Sequence, residues 1–570
     1  MGQEKNFFLR WNPEFQSDGL KYFAQRINEM LFHYSDSVYK VPVLNTYYLI
    51  KEYLDIAKLV KRGIIKEIHL QYVLNELIDS FGKDVILKER IGIEAINYYI
   101  DKLNTSNGSK QEELIQYLFQ VFSDYNEWCK SYLLSVVPHE NWKKKIESGL
   151  RCFIPGLINA GYSPEFIYYY NRKVFFDSNV EGFDALEAFL NRFDYKKQSY
   201  TVYIPIDKEA KTFKDILSSR LNFTFTDEEL DELKYDKEKY ELVKTRIDAF
   251  DKPSASNEAY ESLYLFFRYY NFFSNASYCW YGPKCIVVSD SKSSKLDFGS
   301  SGFKLSSVKN PELLGSVAEN VISLLLNKAW RSFETIDKAI QRYNAALESS
   351  NLENGFLNLW SILEILFVSD SYESKLAEIR ETLIPIIQFR YLTNQFSSLK
   401  EYIITFLDEE VVDTIIAECG SLEAFVILDE YENNRKELFA LIPNNPLLRS
   451  RISQMHDLYR KKEGIRSDID RYTERVTWHL MRLYRTRNLI IHSGTIPLQL
   501  RYLGEHLYDY VELALSEVLF SFSKNQNYLF LSNVLIDIKM RNDRFNKLIA
   551  SNNAISKAEL ERLVSLIKNE

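Results

Sequence analysis

Apolar residues recur at helical spacing through most of this chain, and few residues interrupt the pattern. Its 570 residues include only 19 Gly and 13 Pro, the two residues that most strongly disfavour a helix interior. The abundant Leu, Ile, Lys and Glu favour long helices. The sequence therefore predicts a mainly α, multi-domain fold, with a small α/β domain in the middle and a bundle of helices in the C-terminal part.

Changes in this periodicity predict four segments, which are an N-terminal helical domain over 1–195, a small α/β domain over 196–308, a helical domain over 309–530 and a helical tail over 531–570. The first segment is predicted to hold helices at 47–57, 64–81, 93–103 and 112–136, with a polar loop at 104–110. Helices that are expected to follow are 311–328, 332–349, 353–368, 374–393, 395–407, 409–418, 432–441, 451–462, 468–492 and 498–524, then two in the tail.

The middle segment is where β-structure is expected. Residues 199–206 are β-branched and aromatic, and 284–289 form a second short apolar run, so both read as strands. The charged run at 227–250 and the stretch at 258–273 are predicted to be helices. Residues 289–307 are rich in Ser, Lys and Gly, which indicates a loop or hairpin and a linker.

Composition excludes several classes of function. The net charge of −8 gives no global basic field for nucleic acid. Five scattered cysteines without a C-x-x-C pair favour a reducing cytoplasm over a disulfide framework or a zinc site. No secretory h-region and no apolar run of about 18 residues is seen, so no membrane association is expected. P-loop, G-x-G-x-x-G and H-E-x-x-H motifs are absent, and no cofactor or metal is predicted.

One local segment departs from this acidic background. Between Arg449 and Arg487 there are nine Arg and two Lys against five Asp or Glu, a local net charge of +6. Such a run is either the solvated face of an arginine-rich helix or a surface for phosphates. Arg475 and Arg482, which lie within it, are the predicted RNA-binding residues.

The basic segment ends in a compact polar motif. If it is helical, Arg485, Asn488 and His492 share one stripe, and Leu489, Ile490 and Ile491 anchor the turn in a core. Arg487 lies about 100° away from that stripe. One helix therefore presents Arg487 and His492 poorly to a small target, whereas two helices facing across a two-fold axis could present both.

The motif resembles a known family. The string Tyr484-x-x-Arg487-Asn488-x-x-x-His492-Ser493-Gly494 is similar to the R-x(4-6)-H signature of the HEPN superfamily of ribonucleases and RNA-binding domains, in its Apea-like branch. That branch also has an upstream helix of Trp-x-x-x-Glu type, which here reads Trp360-Ser-Ile-Leu-Glu364. The resemblance covers about residues 310–525.

The resemblance implies a metal-independent endoribonuclease. Arg487 would clamp phosphate, Asn488 would support it, and His492 would act as general acid or base. Glu364 would hydrogen bond or pair with an arginine, as a catalytic or a structural carboxylate. Tyr484 and Arg485 would add support or RNA contacts. For His492, capping of a helix C-terminus is the alternative.

The resemblance also implies partners. A homodimer would complete the site, RNA such as tRNA would be the substrate, and the protein would act in antiphage defence or abortive infection. The N-terminal region would then restrain the nuclease or respond to a phage-derived trigger. The alternative is a HEPN-like scaffold that binds RNA or a protein without cleavage.

Overall fold

The computed structural model describes residues 17–32, 35, 39–139, 141–177, 182–228, 233–274, 281–289, 292–298, 332–349, 351–368, 375–494, 499–525 and 528–568. Over these residues the chain forms 23 α-helices and one five-stranded antiparallel sheet in the middle of the sequence. The predicted mainly α, multi-domain fold is confirmed. The helix predicted at 311–328, and most of the linker before it, lie outside the described residues.

The described residues before 192 are mainly helical. Their helices are α1 (Asp18–Leu31), α2 (Thr46–Lys61), α3 (Ile68–Lys83), α4 (Val85–Ile91), α5 (Ile93–Thr105), α6 (Gly108–Val121), α7 (Tyr125–Val136), α8 (Lys143–Ala160), α9 (Pro164–Phe175) and α10 (Phe183–Asn191). Side-chain caps begin several of them, as where Asn45 accepts a hydrogen bond from the amide of Tyr48 and Asp84 from those of Ile86 and Leu87.

Two predictions for this part were wrong in detail. The segment 112–136 is not one helix, because the chain turns between α6 and α7. The loop predicted at 104–110 shrinks to the residues between α5 and α6, since Thr105 still belongs to α5 and Gly108 already belongs to α6. Gly108 has a positive φ of 56°, which glycine tolerates better than other residues.

The middle of the chain forms the sheet. Its elements are β1 (Gln198–Asp207), α11 (Lys214–Leu221), β2 (Thr224–Phe225), β3 (Tyr240–Ala249), α12 (Lys252–Ser274), β4 (Lys284–Ser289) and β5 (Lys292–Asp297), with a 3₁₀ turn at Lys208–Phe213. The order is β2-β3-β1-β4-β5. Both predicted strands are confirmed as β1 and β4, and the hairpin alternative at 289–307 is confirmed in its first part, where β5 pairs with β4.

The helix predicted over 227–250 was wrong. Residues 240–249 are β3, which pairs with β1 along its whole length, from Gln198 opposite Ala249 to Asp207 opposite Tyr240. Val243 is buried in the sheet's main core, and Leu242 lies in a second cluster. Side chains of successive strand residues point to opposite faces of the sheet, so Val243 and Leu242 enter two different hydrophobic clusters. Helical spacing did not reveal this alternation.

The described residues from 332 onwards are mainly helical. Their elements are α13 (Phe333–Glu348), α14 (Leu352–Phe367), α15 (Lys375–Phe406), α16 (Glu409–Cys419), α17 (Leu422–Ile427), α18 (Glu432–Leu441), α19 (Pro446–Tyr459), α20 (Lys462–Ser493), α21 (Leu500–Lys524), α22 (Leu531–Leu548) and α23 (Lys557–Lys568), with a 3₁₀ turn at Asp429–Tyr431. The helices predicted at 374–393 and 395–407 are one continuous helix, α15. No helix was predicted at α17.

The described residues form two compact units. One contains the described parts of 1–153, 181–183 and 302–570, and the other those of 154–180 and 184–301. This division differs from the four predicted segments, because helices from the start of the chain pack directly on helices from its end. Helix α1 packs on α19 and α3 packs on α20. Among the described residues, no helix is long and apolar enough to cross a membrane.

Buried ion pairs join the two ends of the chain within the first unit. Arg26 on α1 donates to both carboxylate oxygens of Glu147, at 2.5 and 2.9 Å, and to Glu29 at 2.9 Å. Arg451 on α19 donates to the same Glu29 at 2.6 Å. Burial alone would raise the pKa of Glu147, but the charge of Arg26 lowers it to about 2. The Glu147 carboxylate therefore stabilises the folded chain.

This ion pair predicts an acid-dependent loss of stability. A free glutamate titrates at 4.5, so Glu147 contributes its full stabilisation above that pH and loses it as the pH falls towards about 2. Glu147→Gln should lower the free energy of unfolding by roughly 2–3 kcal/mol at neutral pH and by progressively less below about pH 4.5. Urea unfolding across this pH range measures the difference. The control is Glu474→Gln, because the exposed carboxylate of Glu474 lies 3.8 Å from Lys83. If the free-energy difference between wild type and Glu147→Gln stayed constant across this pH range, the prediction would be contradicted.

Candidate functional site

The predicted motif lies in the last turns of α20. This helix runs for 32 residues and ends at Gly494, which has the left-handed conformation with φ 61° and ψ 15°. A glycine just past the last turn adopts this conformation without Cβ strain, so the predicted Ser-Gly stop is confirmed. The motif is therefore held on a regular helix whose inner face packs against α14 and α3.

Glu364 on α14 is the centre of the polar contacts in the motif. Its Oε1 accepts a hydrogen bond from Nε1 of the buried Trp360 at 3.0 Å, and Nη2 of Arg487 lies 3.6 Å from the same oxygen. Nη1 of Arg487 donates to Oδ1 of Asn488 at 3.2 Å. The side chains of Arg487 and Glu364 are 23% and 21% exposed, so the ion pair remains within reach of a ligand.

His492 lies one and a half turns beyond Arg487 and is exposed. Among the described residues no hydrogen bond or ion pair engages its ring. At 100° and 1.5 Å per residue, the Cα atoms of Arg487 and His492 are displaced by about 140° around α20 and about 7.5 Å along it. One copy of the helix therefore directs the two side chains to different parts of its surface.

The apolar triplet between them is only partly in the core. Leu489 and Ile490 are 6% and 8% exposed, but Ile491 is 46% exposed, so its prediction as a core residue was wrong. Ile491 is turned outwards beside His492, because the inner face of the helix is already filled by Leu489 and Ile490. The end of α20 thus presents an imidazole next to an uncovered aliphatic side chain.

Arg482 and Arg485 point inwards from the same helix. Arg482 donates to both carboxylate oxygens of Glu52 on α2, at 2.9 and 2.8 Å, and to Glu76 on α3 at 2.7 Å. Arg485 donates to Glu52 at 2.9 Å. The two arginines are 6% and 2% exposed. In this conformation Arg482 and Arg485 bind carboxylates of the protein and are withdrawn from any surface that RNA would touch.

The pKa values of the two carboxylates move in opposite directions. Burial alone would raise the pKa of Glu52, but the charges of Arg482 and Arg485 lower it to about 2. Burial raises the pKa of Glu76, which among the described residues accepts a hydrogen bond from Arg482 but not from Arg485. Glu52 is therefore the stronger anchor for α20.

Of the two remaining predicted residues, Tyr484 lies beside Trp360, whereas Arg475 lies apart from the motif. The Tyr484 ring packs between those of Trp360 and His69, each with its centroid at 5.7 Å. Arg475 is exposed, with its guanidinium 5.6 Å from the centroid of the Tyr472 ring. Twelve residues before Arg487, it lies about 18 Å away along the helix. The structure thus brings together Arg487, Asn488 and Glu364, but not Arg475.

Sequence reasoning missed three residues around the motif, namely Glu52, Glu76 and His69. Burial, and next the charge of Arg485, lower the pKa of His69 to about 4, so this ring is uncharged at neutral pH. All three lie more than 400 residues before their partners on α20. The sequence around a carboxylate or a histidine on an amphipathic helix does not indicate which distant residue it will contact. The one local signal that could have shown these arginines to face a core is the spacing of Arg482, Arg485 and the apolar Leu489, which share a face of the helix.

Among the described residues, no three His, Cys, Asp or Glu side chains are grouped so that they could hold a metal ion. No protein-family model, curated protein or solved structure matches this chain. The HEPN-like assignment therefore depends on the motif residues and their geometry alone.

Proposed function

We propose that this chain is a metal-independent endoribonuclease of HEPN type. The observation that carries the proposal is the end of α20, where a partly exposed guanidinium, Arg487, is oriented by Glu364 and Asn488, and an exposed imidazole, His492, follows in the next turns. A guanidinium binds two phosphate oxygens at once, and an imidazole titrates near neutral pH.

RNA contains its own nucleophile, so these groups suffice for strand cleavage. A general base removes the proton of a ribose 2′-hydroxyl, whose oxygen attacks the adjacent phosphorus. The bond from phosphorus to the 5′-oxygen of the next nucleotide breaks, and a general acid returns a proton to that oxygen. The products are a 2′,3′-cyclic phosphate and a 5′-hydroxyl. His492 supplies the base or the acid, and Arg487 stabilises the charge that develops on the phosphoryl oxygens.

The proposed active form is a homodimer. One helix separates Arg487 and His492 by about 140°, so a second copy of α20 is needed to place a guanidinium and an imidazole on one phosphodiester. The exposed Ile491 beside His492 offers apolar area for that pairing. The two copies would share a groove lined by residues of both motifs.

The proposed biological role is cytoplasmic antiphage defence by abortive infection, with the N-terminal region as restraint or sensor. In support of this role for the N-terminal region, ion pairs of Arg482 with Glu52 and Glu76 connect α20 to α2 and α3. A change in these N-terminal helices would therefore reach the helix that carries the motif. A phage-derived molecule would act as the trigger, and an RNA such as tRNA as the substrate.

A second candidate is a HEPN-like scaffold that binds RNA or a protein without cleavage. It is favoured by the ion pair between Arg487 and Glu364, which partly neutralises the cation before any phosphate arrives.

Incubation of the purified chain with tRNA or total RNA in EDTA distinguishes the two candidates. Endonuclease activity predicts discrete fragments with 2′,3′-cyclic phosphate and 5′-hydroxyl ends, detected by end-specific ligation. Intact RNA that nevertheless shifts in a gel would support the scaffold. Fragments with 3′-hydroxyl ends would contradict attack by the 2′-hydroxyl.

A further inference from the structure

A polar cavity lies within the first unit, away from the end of α20. Its volume is about 220 Å³, and its walls come from α1, α8, α15, α19 and α20. Arginines and tyrosines dominate the lining, with two carboxylates, Glu147 and Asp468. The four lining arginines are Arg26, Arg151, Arg451 and Arg475. The cavity therefore holds more positive than negative charge.

Two of these arginines are neutralised by the protein itself. Arg26 donates to Glu147 and Glu29, and Arg451 donates to Glu29 from the other side at 2.6 Å. The guanidinium of Arg451 also lies 3.5 Å from the centroid of the Tyr39 ring. These contacts hold the guanidinium groups of Arg26 and Arg451 in place and leave these two cations with little capacity to bind a further anion.

Among the described residues, neither of the other two arginines donates a hydrogen bond to a carboxylate. Nη1 of Arg151 is 3.9 Å from Glu147, a carboxylate that Arg26 already holds with two hydrogen bonds. Arg475 forms no ion pair with any carboxylate of the described residues. Withdrawal from water, and next the nearby charge of Arg475, lower the pKa of Arg151 to about 10. Two like charges therefore face the same space, and an anion between them would relieve their repulsion.

Two tyrosines of the lining, Tyr391 and Tyr459, are held by hydrogen bonds. The hydroxyl groups of Tyr391 and Tyr459 both donate to Oδ2 of Asp468, at 2.8 and 2.7 Å. Tyr391 stacks on Tyr472 with centroids 3.9 Å apart. Gln395 donates to the Tyr459 hydroxyl at 2.8 Å, which completes the network. The tyrosines are thus held in place before any ligand arrives, which lowers the entropic cost of binding.

We propose that this cavity binds a small phosphorylated ring compound of mononucleotide size, with its phosphate between Arg151 and Arg475 and its ring among the tyrosines. Paired guanidinium groups suit the geometry of phosphate oxygens. The volume lies just below the usual range of roughly 300–1,000 Å³ for small-molecule sites, which favours a single nucleotide over a strand. The same chemistry is present in RNA, so the two sources must be separated by experiment.

Isothermal titration of the full-length chain with nucleoside monophosphates, inorganic phosphate, adenosine and a short single-stranded RNA tests the proposal. His492→Ala serves as the background, so that RNA cleavage plays no part. At least one monophosphate should bind saturably. The corresponding nucleoside, which lacks the phosphate, should bind at least about tenfold more weakly. Arg151→Gln and Arg475→Gln should each weaken monophosphate binding about tenfold or more, the loss of one charge-assisted contact.

The matched control is Arg460→Gln, which removes an exposed arginine of the same basic segment whose side chain does not line the cavity. It should leave binding unchanged. Arg475 is exposed, so Arg475→Gln remains informative if Arg151→Gln impairs folding. The absence of saturable binding by any monophosphate or by phosphate would overturn the proposal, as would binding that neither variant weakens. RNA that binds through Arg475 while free monophosphates do not would assign the site to a strand instead.

Discussion

Replacement of Arg482 by alanine is expected to lower the free energy of unfolding by about 3–5 kcal/mol. The side chain is 6% exposed and forms three hydrogen bonds, which satisfy Glu52 on α2 and Glu76 on α3. The alanine variant would leave two partly buried carboxylates, of which Glu52 keeps its hydrogen bond from Arg485. Urea unfolding of the wild-type and variant chains measures the loss.

Arg487→Ala is the matched control for this experiment. Arg487 lies on the same helix, but its guanidinium is 23% exposed and 3.6 Å from Glu364, so its removal should cost less than about 1 kcal/mol. Equal losses for the two variants would contradict the assignment of Arg482 to a structural role. A variant with Arg482→Met, Arg485→Met, Glu52→Leu and Glu76→Leu should recover much of the stability, because it leaves no charge of the cluster unpaired and apolar residues of similar volume often replace a buried ion cluster without loss.

His492→Ala is expected to reduce the rate of RNA cleavage by about 10²–10⁴-fold, the usual contribution of a general acid or base. Arg487→Ala should cause a comparable loss, since the developing phosphoryl charge would lack its guanidinium. Neither change should alter the fold, because His492 is exposed and Arg487 partly exposed. Single-turnover cleavage of a labelled RNA provides the rates, and thermal unfolding checks the structure of each variant.

Arg460→Ala controls for the loss of a positive charge elsewhere on the protein, and it should cleave like the wild type. Mixing His492→Ala with Arg487→Ala chains then tests the composite site. If each subunit supplies one group to a shared phosphodiester, mixed dimers regain one intact site and part of the activity. Cleavage by His492→Ala at the wild-type rate would show that His492 is neither the general acid nor the general base.

The parts of the fold that depend on local sequence were predictable. Helix α20 ends where a Ser-Gly pair follows the last periodic residue, and β4 has the bounds that its short apolar run indicated. Strand β3 was missed because its charged residues also fit a helix, and its β-character comes from pairing with β1 along ten residues. Periodicity reports which face of a segment is apolar, but not which distant segment lies against it.

The candidate site shows the same limit. The resemblance implied that Glu364 would pair with an arginine, and in the structure the arginine beside it is Arg487. The burial of Arg482 and Arg485 did not follow, because their partners Glu52 and Glu76 come from the opposite end of the sequence. A basic residue that appears suited to RNA can instead be occupied by a carboxylate more than 400 residues away.

Helix α20 connects the cavity to the motif. It carries Arg475 at the wall of the cavity and His492 at its C-terminal end, and these residues are about 25 Å apart along one continuous helix. An occupant of the cavity that shifts α20 would therefore change the affinity of the motif for the proposed RNA ligand. Thermodynamic reciprocity would then require RNA at the motif to change the affinity of the cavity for its proposed ligand by the same factor.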